Sequence, residues 1–213
     1  MKPYYEDDAC TIYHGDCREI IPQLSFDVIV TDPPYGISYA GYNHGTVAGD
    51  TDDEAARWLL TNTGPMVVFG INHFPEALPS RGAWSCWDKR TNEKADKMFG
   101  SPFELIWTSG DDQPGKMYRI MHGGVVNADG GGVKRQHPTQ KPVTLMARVI
   151  ADWADPGVIL DPFMGSGTTL RAAKDLGRKA IGIELDRKYC DIAVKRLAQE
   201  VLDFSTLSQH PAA

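Results

Sequence analysis

Long apolar stretches and closely spaced cysteines are both missing from this chain of 213 residues. No apolar run approaches the ~18 residues that a membrane-spanning helix needs, and the polar, acidic residues 1–8 do not form a secretory signal. Four cysteines occur without a CxxC pair, and no His/Cys cluster has zinc-site spacing. We therefore predict reduced, mostly buried thiols, no bound metal and a cytoplasmic protein without a membrane partner.

Positive charge is also scarce, since the formal net charge is −6. This value argues mildly against non-specific binding to nucleic acid. The distribution of charge along the chain weakens this argument, because residues 81–141 contain ten Lys and Arg but only seven Asp and Glu. A basic face on an acidic body is one interpretation, and ordinary solvated surface charge is the other.

Apolar runs typical of strands alternate with runs at helical spacing. Such alternation predicts a single α/β domain with a mainly parallel sheet, covered by helices on both faces. Two Gly-rich stretches, 36–50 and 109–136, interrupt the pattern, and loops of this length are usually functional or disordered. The predicted strands are 10–14, 26–31, 65–69, 83–87, 103–107, 158–160 and 180–183, and the predicted helices are 18–24, 51–60, 141–153, 168–176 and 187–201.

Two common nucleotide-binding signatures are incomplete in the glycine-rich turn that follows the strand at 158–160. No Gly-Lys-Ser/Thr follows it, which excludes a P-loop, and Leu170 stands where GxGxxG has its third glycine. Gly165 and Gly167 still let a ligand approach the main chain, and Glu184 ends the next strand, where an acid commonly holds ribose hydroxyls. This pattern favours an uncharged, single-nucleoside cofactor over NAD, with a plain glycine turn as the alternative.

The segment Asp32-Pro33-Pro34-Tyr35 directly follows the apolar run 26–31. Proline has no N–H, so nearby carbonyls can accept hydrogen bonds from outside. The Asp32 carboxylate and the Pro33 carbonyl would hold the hydrogens of an amino group on an aromatic ring, and Tyr35 would stack on that ring. Such acceptors favour a tetrahedral amino nitrogen that can attack an electrophilic methyl group. A rigid turn with a capping aspartate is the alternative.

These residues match the motifs of a known family. The chain resembles the amino-group DNA methyltransferases, which methylate N6 of adenine or N4 of cytosine with S-adenosylmethionine. It is similar to their β group, in which DPPY (Asp32–Tyr35) precedes FxGxG (within Asp161–Thr169). The resemblance covers nearly the whole chain and implies a Rossmann-like class I methyltransferase sheet, mostly parallel with an antiparallel strand. It also implies base flipping, DNA as the partner, and a site-specific enzyme of a prokaryote or phage, with a homodimer left open.

The resemblance assigns roles to individual residues. The catalytic residues implied by the resemblance are Asp32, Pro33, Pro34 and Tyr35. The cofactor would be bound by Asp16, Asp32, Thr139, Lys141, Asp161, Phe163, Gly165, Ser166, Gly167, Thr168 and Glu184. Asp16 would approach the cofactor adenine, with a strand-end cap as the alternative. Thr139 or Lys141 would approach the methionine carboxylate, with a solvated charge as the alternative for Lys141.

The region that should choose the DNA sequence is short. Residues 109–136 form the expected target-recognition insertion, with many glycines, and 205–213 are expected to be a frayed tail. Four basic residues could contact phosphates: Lys116, Arg119, Lys134 and Arg135. The aspartate of DPPY favours adenine as the target. The alternatives are N4 of cytosine in DNA, an RNA base, or an inactive homologue that only binds cofactor or DNA.

Overall fold

The computed structural model describes residues 1–36, 40–41, 45–46, 53–61, 64–77, 81–90, 101–110, 113–123, 126–127 and 140–199. The strands are β1 Tyr5–Glu6, β2 Cys10–His14, β3 Val28–Thr31, β4 Ala40–Gly41, β5 Gly45–Thr46, β6 Met66–Phe69, β7 Ala83–Asp88, β8 Phe103–Thr108, β9 Met117–Arg119, β10 His122–Gly123, β11 Val126–Asn127, β12 Ile159–Asp161 and β13 Ala180–Glu184. The α-helices are α1 Cys17–Ile20, α2 Glu54–Leu60, α3 Val143–Trp153, α4 Thr168–Asp175 and α5 Arg187–Leu197.

Nine strands form one sheet in the order β1-β2-β13-β12-β3-β6-β8-β7-β9. The five neighbours from β2 to β6 are parallel to one another, whereas β8 is antiparallel to both of its neighbours. The short β1 adds a second antiparallel strand at one edge. The prediction of a mostly parallel sheet with an antiparallel strand is therefore confirmed in the described residues.

Helices cover both faces of the sheet. On one face, Leu145 and Met146 of α3 and Leu170 of α4 join a buried cluster with alternate strand residues. On the other face, Ile20 of α1 and Leu59 of α2 pack in a second cluster. Because both faces are covered, all four residues of β3 are buried.

The predicted elements occur with shifted ends. The helix expected at 18–24 divides into α1 and a 3₁₀ helix at Ile21–Gln23, since Pro22 has no N–H to continue α-helical hydrogen bonding. The helix expected at 141–153 begins at Val143, with Pro142 as its N-cap. The predictions at 205–213 and over most of 36–50 lie outside the described residues.

Part of the expected target-recognition insertion forms a strand of the central sheet. Met117–Arg119 forms β9, which pairs in parallel with β7 at the far edge of the sheet. Its backbone hydrogen bonds therefore belong to the central sheet. The sequence signal for this strand is weak because Met-Tyr-Arg lacks an apolar run.

The carboxyl ends of the parallel strands meet at one edge of the sheet, called the carboxyl edge below. Asp16, Asp32, Asp161 and Glu184 all lie at or just beyond such ends. Because β8 runs in the opposite direction, its first residues, including Glu104, lie at the same edge. Ligands of open α/β sheets bind at this edge.

Candidate active site

Asp32 is the first residue beyond β3, and both oxygens of its carboxylate have partners within the protein. The Tyr35 hydroxyl donates to Oδ1 at 2.6 Å. The Lys141 ammonium donates to Oδ2 at 2.5 Å. Each carboxylate oxygen can accept more than one hydrogen bond, so Asp32 retains capacity for the hydrogens of a substrate amino group.

Tyr35 is held between a glycine and two aromatic side chains. Its ring stacks on His73, with centroids 4.4 Å apart and an interplanar angle of 20°, and Phe74 lies edge-on at 6.2 Å. A Cβ at Gly70, where φ is +63°, would lie 2.2 Å from the Tyr35 hydroxyl oxygen. The close approach of Tyr35 therefore requires glycine at position 70.

A cluster of charged side chains surrounds Asp32. Lys141 also contacts Glu104 Oε1 at 2.8 Å, and Lys89 contacts Glu104 Oε2 at 2.8 Å. The Lys141 side chain is only 10% exposed, so it is not a solvated charge. Neither Glu104 nor Lys89 was predicted from the sequence. Glu104 lies at this edge because β8 is antiparallel to β6, and no local sequence pattern indicates that direction.

The charges in this cluster shift one another's proton affinities. Burial alone would raise the pKa of Glu104, but the ammonium groups of Lys141 and Lys89 lower it to about 2. Burial would lower the pKa of Lys141, but Asp32 and Glu104 raise it. Burial raises the pKa of Asp32, and the Lys141 charge opposes that rise. Burial also raises the pKa of Tyr35, which keeps its hydroxyl protonated as a donor.

The turn between β12 and α4 is fixed by two buried carboxylates. Asp161 Oδ1 accepts hydrogen bonds from the Thr31 hydroxyl at 2.7 Å and from the Phe163 N–H at 3.2 Å. Glu184 accepts from the Gly165 N–H at 2.9 Å and from the Asp186 N–H at 2.8 Å. Burial raises the pKa of Asp161 to about 6 and that of Glu184 to about 7.

The glycines of this turn have backbone angles that favour glycine. Gly165 and Gly167 have φ of +50° and +76°. A Cβ at Gly167 would lie 2.8 Å from the Cβ of Ala193 in α5. Ser166 and Thr168 are buried and Phe163 is half-buried, so the structure brings these predicted residues into one turn beside Asp32.

Asp16 lies at the carboxyl end of β2, next to the end of β13. The Gly15 N–H donates to the Glu184 carbonyl at 3.0 Å. The Asp16 side chain caps α1 by accepting from the Arg18 N–H at 2.8 Å, and the Arg18 guanidinium lowers the pKa of Asp16. Asp16 is thus a cap at the carboxyl edge, beside the turn expected to bind the cofactor.

The residues predicted to contact DNA phosphates lie in different parts of the chain. Arg119 is exposed and ends β9, where its register partner is Asp88 at the carboxyl edge. Lys116 precedes β9 at the opposite end of that strand and pairs with Asp152 at 2.7 Å. Lys134, Arg135 and Thr139 lie outside the described residues.

No group of His, Cys, Asp or Glu among the described residues is arranged to hold a metal ion. All four cysteines are free, and Cys10, Cys17 and Cys190 are buried while Cys86 is half-buried. Within the described ranges, no helix has the length and apolar character of a membrane span.

The chain is similar to known DNA methyltransferases. The family model described as DNA methylase, for N6 and N4 methyltransferases, matches residues 74–195. Type II methyltransferase M2.LlaDCHI of Lactococcus lactis subsp. cremoris is 30% identical, with 92% of each chain covered. M2.DpnII of Streptococcus pneumoniae is 29% identical, with 93% of each chain covered.

Solved structures share the fold. The M1.HpyAVI–SAM complex is 26% identical over 89% of this chain and all of that chain, with a TM-score of 0.58. The cytosine-N4-specific PvuII DNA methyltransferase is 16% identical over 97% of this chain and 92% of that chain, with a TM-score of 0.66. The expected Rossmann-like methyltransferase sheet is confirmed.

Proposed function

The chain belongs to the DNA methylase family of N6 and N4 methyltransferases, and we propose that it transfers a methyl group from S-adenosylmethionine to N6 of adenine in DNA. One observation carries the proposal: the Thr31 hydroxyl donates to Asp161. This bond places Asp32, the next residue, beside the glycine turn. The acceptor for a substrate amino group and the turn expected to bind the cofactor therefore share one edge of the sheet.

The residues at this edge suit the cofactor. The turn 161–168 has two glycines with positive φ, which leave the main chain bare for a ligand. Glu184 and Asp16 supply carboxylates at neighbouring strand ends, and a carboxylate that accepts backbone N–H groups retains lone pairs for hydroxyl groups. S-adenosylmethionine supplies a methyl group on a sulfonium, which keeps the bonding electrons when the methyl group leaves.

Asp32 is the residue that prepares the nucleophile. The lone pair of an adenine amino nitrogen is delocalised into the ring, so the nitrogen is a weak nucleophile. Hydrogen bonds from the amino group to Asp32 and the Pro33 carbonyl favour a tetrahedral nitrogen, whose lone pair forms the bond to the methyl carbon. The methylated nitrogen then loses one proton to water. Orientation and electrostatics accelerate such a reaction without a covalent enzyme intermediate.

Tyr35 provides the surface for the base. The target nitrogen of duplex DNA is reached only when the base leaves the stack, and stacking on an aromatic ring returns roughly 1–3 kcal/mol. His73 stacks on Tyr35 in the structure. A base that stacks on Tyr35 therefore either uses the opposite face of the ring or displaces His73, which is exposed.

The named bacterial relatives support a restriction-modification role. The similarity to the cytosine-N4-specific enzyme, at 16% identity, supports the fold and does not favour cytosine. We also propose that the protein is located in the cytoplasm of a bacterium or phage host. We further propose that it forms a homodimer. Equilibrium sedimentation tests the dimer, since the chain mass is 23.5 kDa.

The proposal is tested by transfer of a labelled methyl group to unmethylated DNA and, separately, to RNA. We expect label in DNA only, and we expect Asp32→Ala to reduce transfer by at least roughly 10²–10³-fold, as removal of one key polar group commonly does. Cofactor affinity, measured by calorimetry, should fall much less than the rate. Cofactor binding without transfer by the wild type would instead support an inactive homologue.

A further inference from the structure

Four side chains of alternating charge form a continuous row at the carboxyl edge, called the ion chain below. It runs from Lys89 through Glu104 and Lys141 to Asp32, with N–O distances of 2.8, 2.8 and 2.5 Å. Lys89 follows β7, Glu104 belongs to β8, and Lys141 precedes α3. The ion chain therefore connects Asp32 to three other elements of the fold.

The ion chain differs from an ordinary surface salt bridge. Each of its four side chains is less than one-fifth exposed, whereas exposed ion pairs are screened by water and contribute little. Two carboxylates and two ammonium groups balance in charge, as partly buried charges require. By comparison, Lys116 and Asp152 form a pair of side chains that are 42% and 34% exposed.

Glu104 contacts both of the groups that hold Asp32. Its Oε1 atom lies 2.8 Å from Lys141 Nζ and 3.5 Å from the Tyr35 hydroxyl oxygen. Those two groups donate to the two oxygens of Asp32. Lysine has a long and flexible side chain, so Lys141 alone would not keep one position. Glu104, on a strand and fixed from behind by Lys89, restrains it.

We propose that Glu104 is a positioning residue for methyl transfer, which acts through Lys141 and Tyr35 to keep the Asp32 carboxylate in one orientation at the reacting amino group. This inference rests on the proposed function. Glu104 is not placed on the substrate, so its loss should lower the turnover rate more than it weakens the binding of DNA or cofactor. A displacement near 1 Å at the reacting atoms can cost about 10²-fold in rate.

A pH dependence accompanies this arrangement. The charged or titratable groups around Asp32 are Tyr35 on its own segment, Glu104 on β8, Lys141 before α3, and Asp161 on β12. The negative charge of Glu104 raises the pKa of Asp32. Removal of that charge should lower the Asp32 pKa, and the acid limb of the rate profile should then move to lower pH, because the ionised carboxylate is a stronger acceptor than the protonated acid, in which one oxygen carries a proton.

The test compares the full-length wild type with Glu104→Gln, which keeps the side-chain shape. We expect kcat to fall roughly 10- to 100-fold, KM for DNA and cofactor to stay within a few-fold, and the acid limb to move to lower pH. Lys89→Met should move the acid limb in the opposite direction. Lys174→Met is the matched control, since it removes the ion pair with Asp7 at the end of α4 away from the glycine turn and should leave the rate unchanged.

A second measurement separates this inference from the proposed function. The Asp32 carboxyl carbon can be titrated by ¹³C NMR, with Asp32→Asn to assign the signal. We expect a lower Asp32 pKa in Glu104→Gln even if the wild type methylates no DNA, in which case only the proposed function fails. An unchanged Asp32 titration, or a fall in thermal stability with an unchanged kcat, would overturn the positioning role.

Discussion

The Thr31 hydroxyl donates a 2.7 Å hydrogen bond to Oδ1 of Asp161, a residue 130 positions later in the chain. Both residues are buried, and they end the neighbouring parallel strands β3 and β12. The bond holds the Asp32–Tyr35 segment against the glycine turn. It explains how a chain with the proposed catalytic motif first and the proposed cofactor motif last brings both to one edge of the sheet.

Replacement of Thr31 by valine should separate these two motifs. Thr31→Val keeps the side-chain shape but leaves Asp161 without one of its donors, which costs about 1–3 kcal/mol of unfolding free energy for a buried group. The pKa of Asp161 should rise, because the Thr31 hydrogen bond lowers it. Urea denaturation measures the loss. The control is Thr61→Val at an exposed hydroxyl, and equal losses in the two variants would contradict the account.

The glycine turn predicts a selective effect on the cofactor. Gly165→Val forces a branched side chain into a left-handed conformation, which costs about 1–2 kcal/mol. It also places methyl groups where we propose that the cofactor approaches, so affinity should fall about tenfold or more. Calorimetry with S-adenosylmethionine measures this. Gly177→Ala is the control, because its φ is +66° with open space around it. A similar loss of affinity in both variants would show that strain alone is responsible.

Position 70 should accept no side chain larger than hydrogen. Gly70→Ala places a Cβ against the Tyr35 ring and strains a left-handed backbone. We expect the displaced Tyr35 to lower kcat about tenfold or more. Steady-state kinetics measure the effect, with Gly110→Ala as the control, since φ there is +120° and the space is open. Wild-type kinetics in Gly70→Ala would show that the position of Tyr35 is unimportant for turnover.

Glu184 should make stability depend on pH. Its pKa in the folded state is about 7 against an ordinary value of 4.5, so between these values the folded protein binds more protons than the unfolded chain. The contribution of Glu184 to the free energy of unfolding is therefore fully present below about pH 4.5, and it is lost as pH rises through about 7. The loss is at most about 1.4 kcal/mol per pH unit. Urea titrations at several pH values should give a shallower decline in Glu184→Gln, and parallel curves would contradict this.

The sequence predicted the part of the site that lies in local motifs. Asp32 and Tyr35 follow a β-branched run, and Gly165 and Gly167 stand between a strand and a helix, so strand ends alone place them at one edge. The prediction of strands and helices succeeded for the same reason, since apolar periodicity marks buried faces.

The rest of the site depends on long-range pairing. Glu104 reaches the carboxyl edge only because β8 runs antiparallel to β6, and no local pattern reveals strand direction. His73 stacks on Tyr35 from a 3₁₀ helix that has no clear periodicity. The contact of Lys116 with DNA phosphates stays a prediction, and Lys116 precedes β9 at the end of that strand opposite Arg119.

The identity of the methylated base shows whether the Asp32 site acts on the amino group of adenine. DNA incubated with the protein and S-adenosylmethionine can be digested to nucleosides and separated by mass spectrometry, with Asp32→Ala as the blank. We expect N6-methyldeoxyadenosine in the wild-type sample alone. N4-methyldeoxycytidine as the sole product, or N6-methyldeoxyadenosine at equal levels with Asp32→Ala, would show that Asp32 does not direct methylation of adenine.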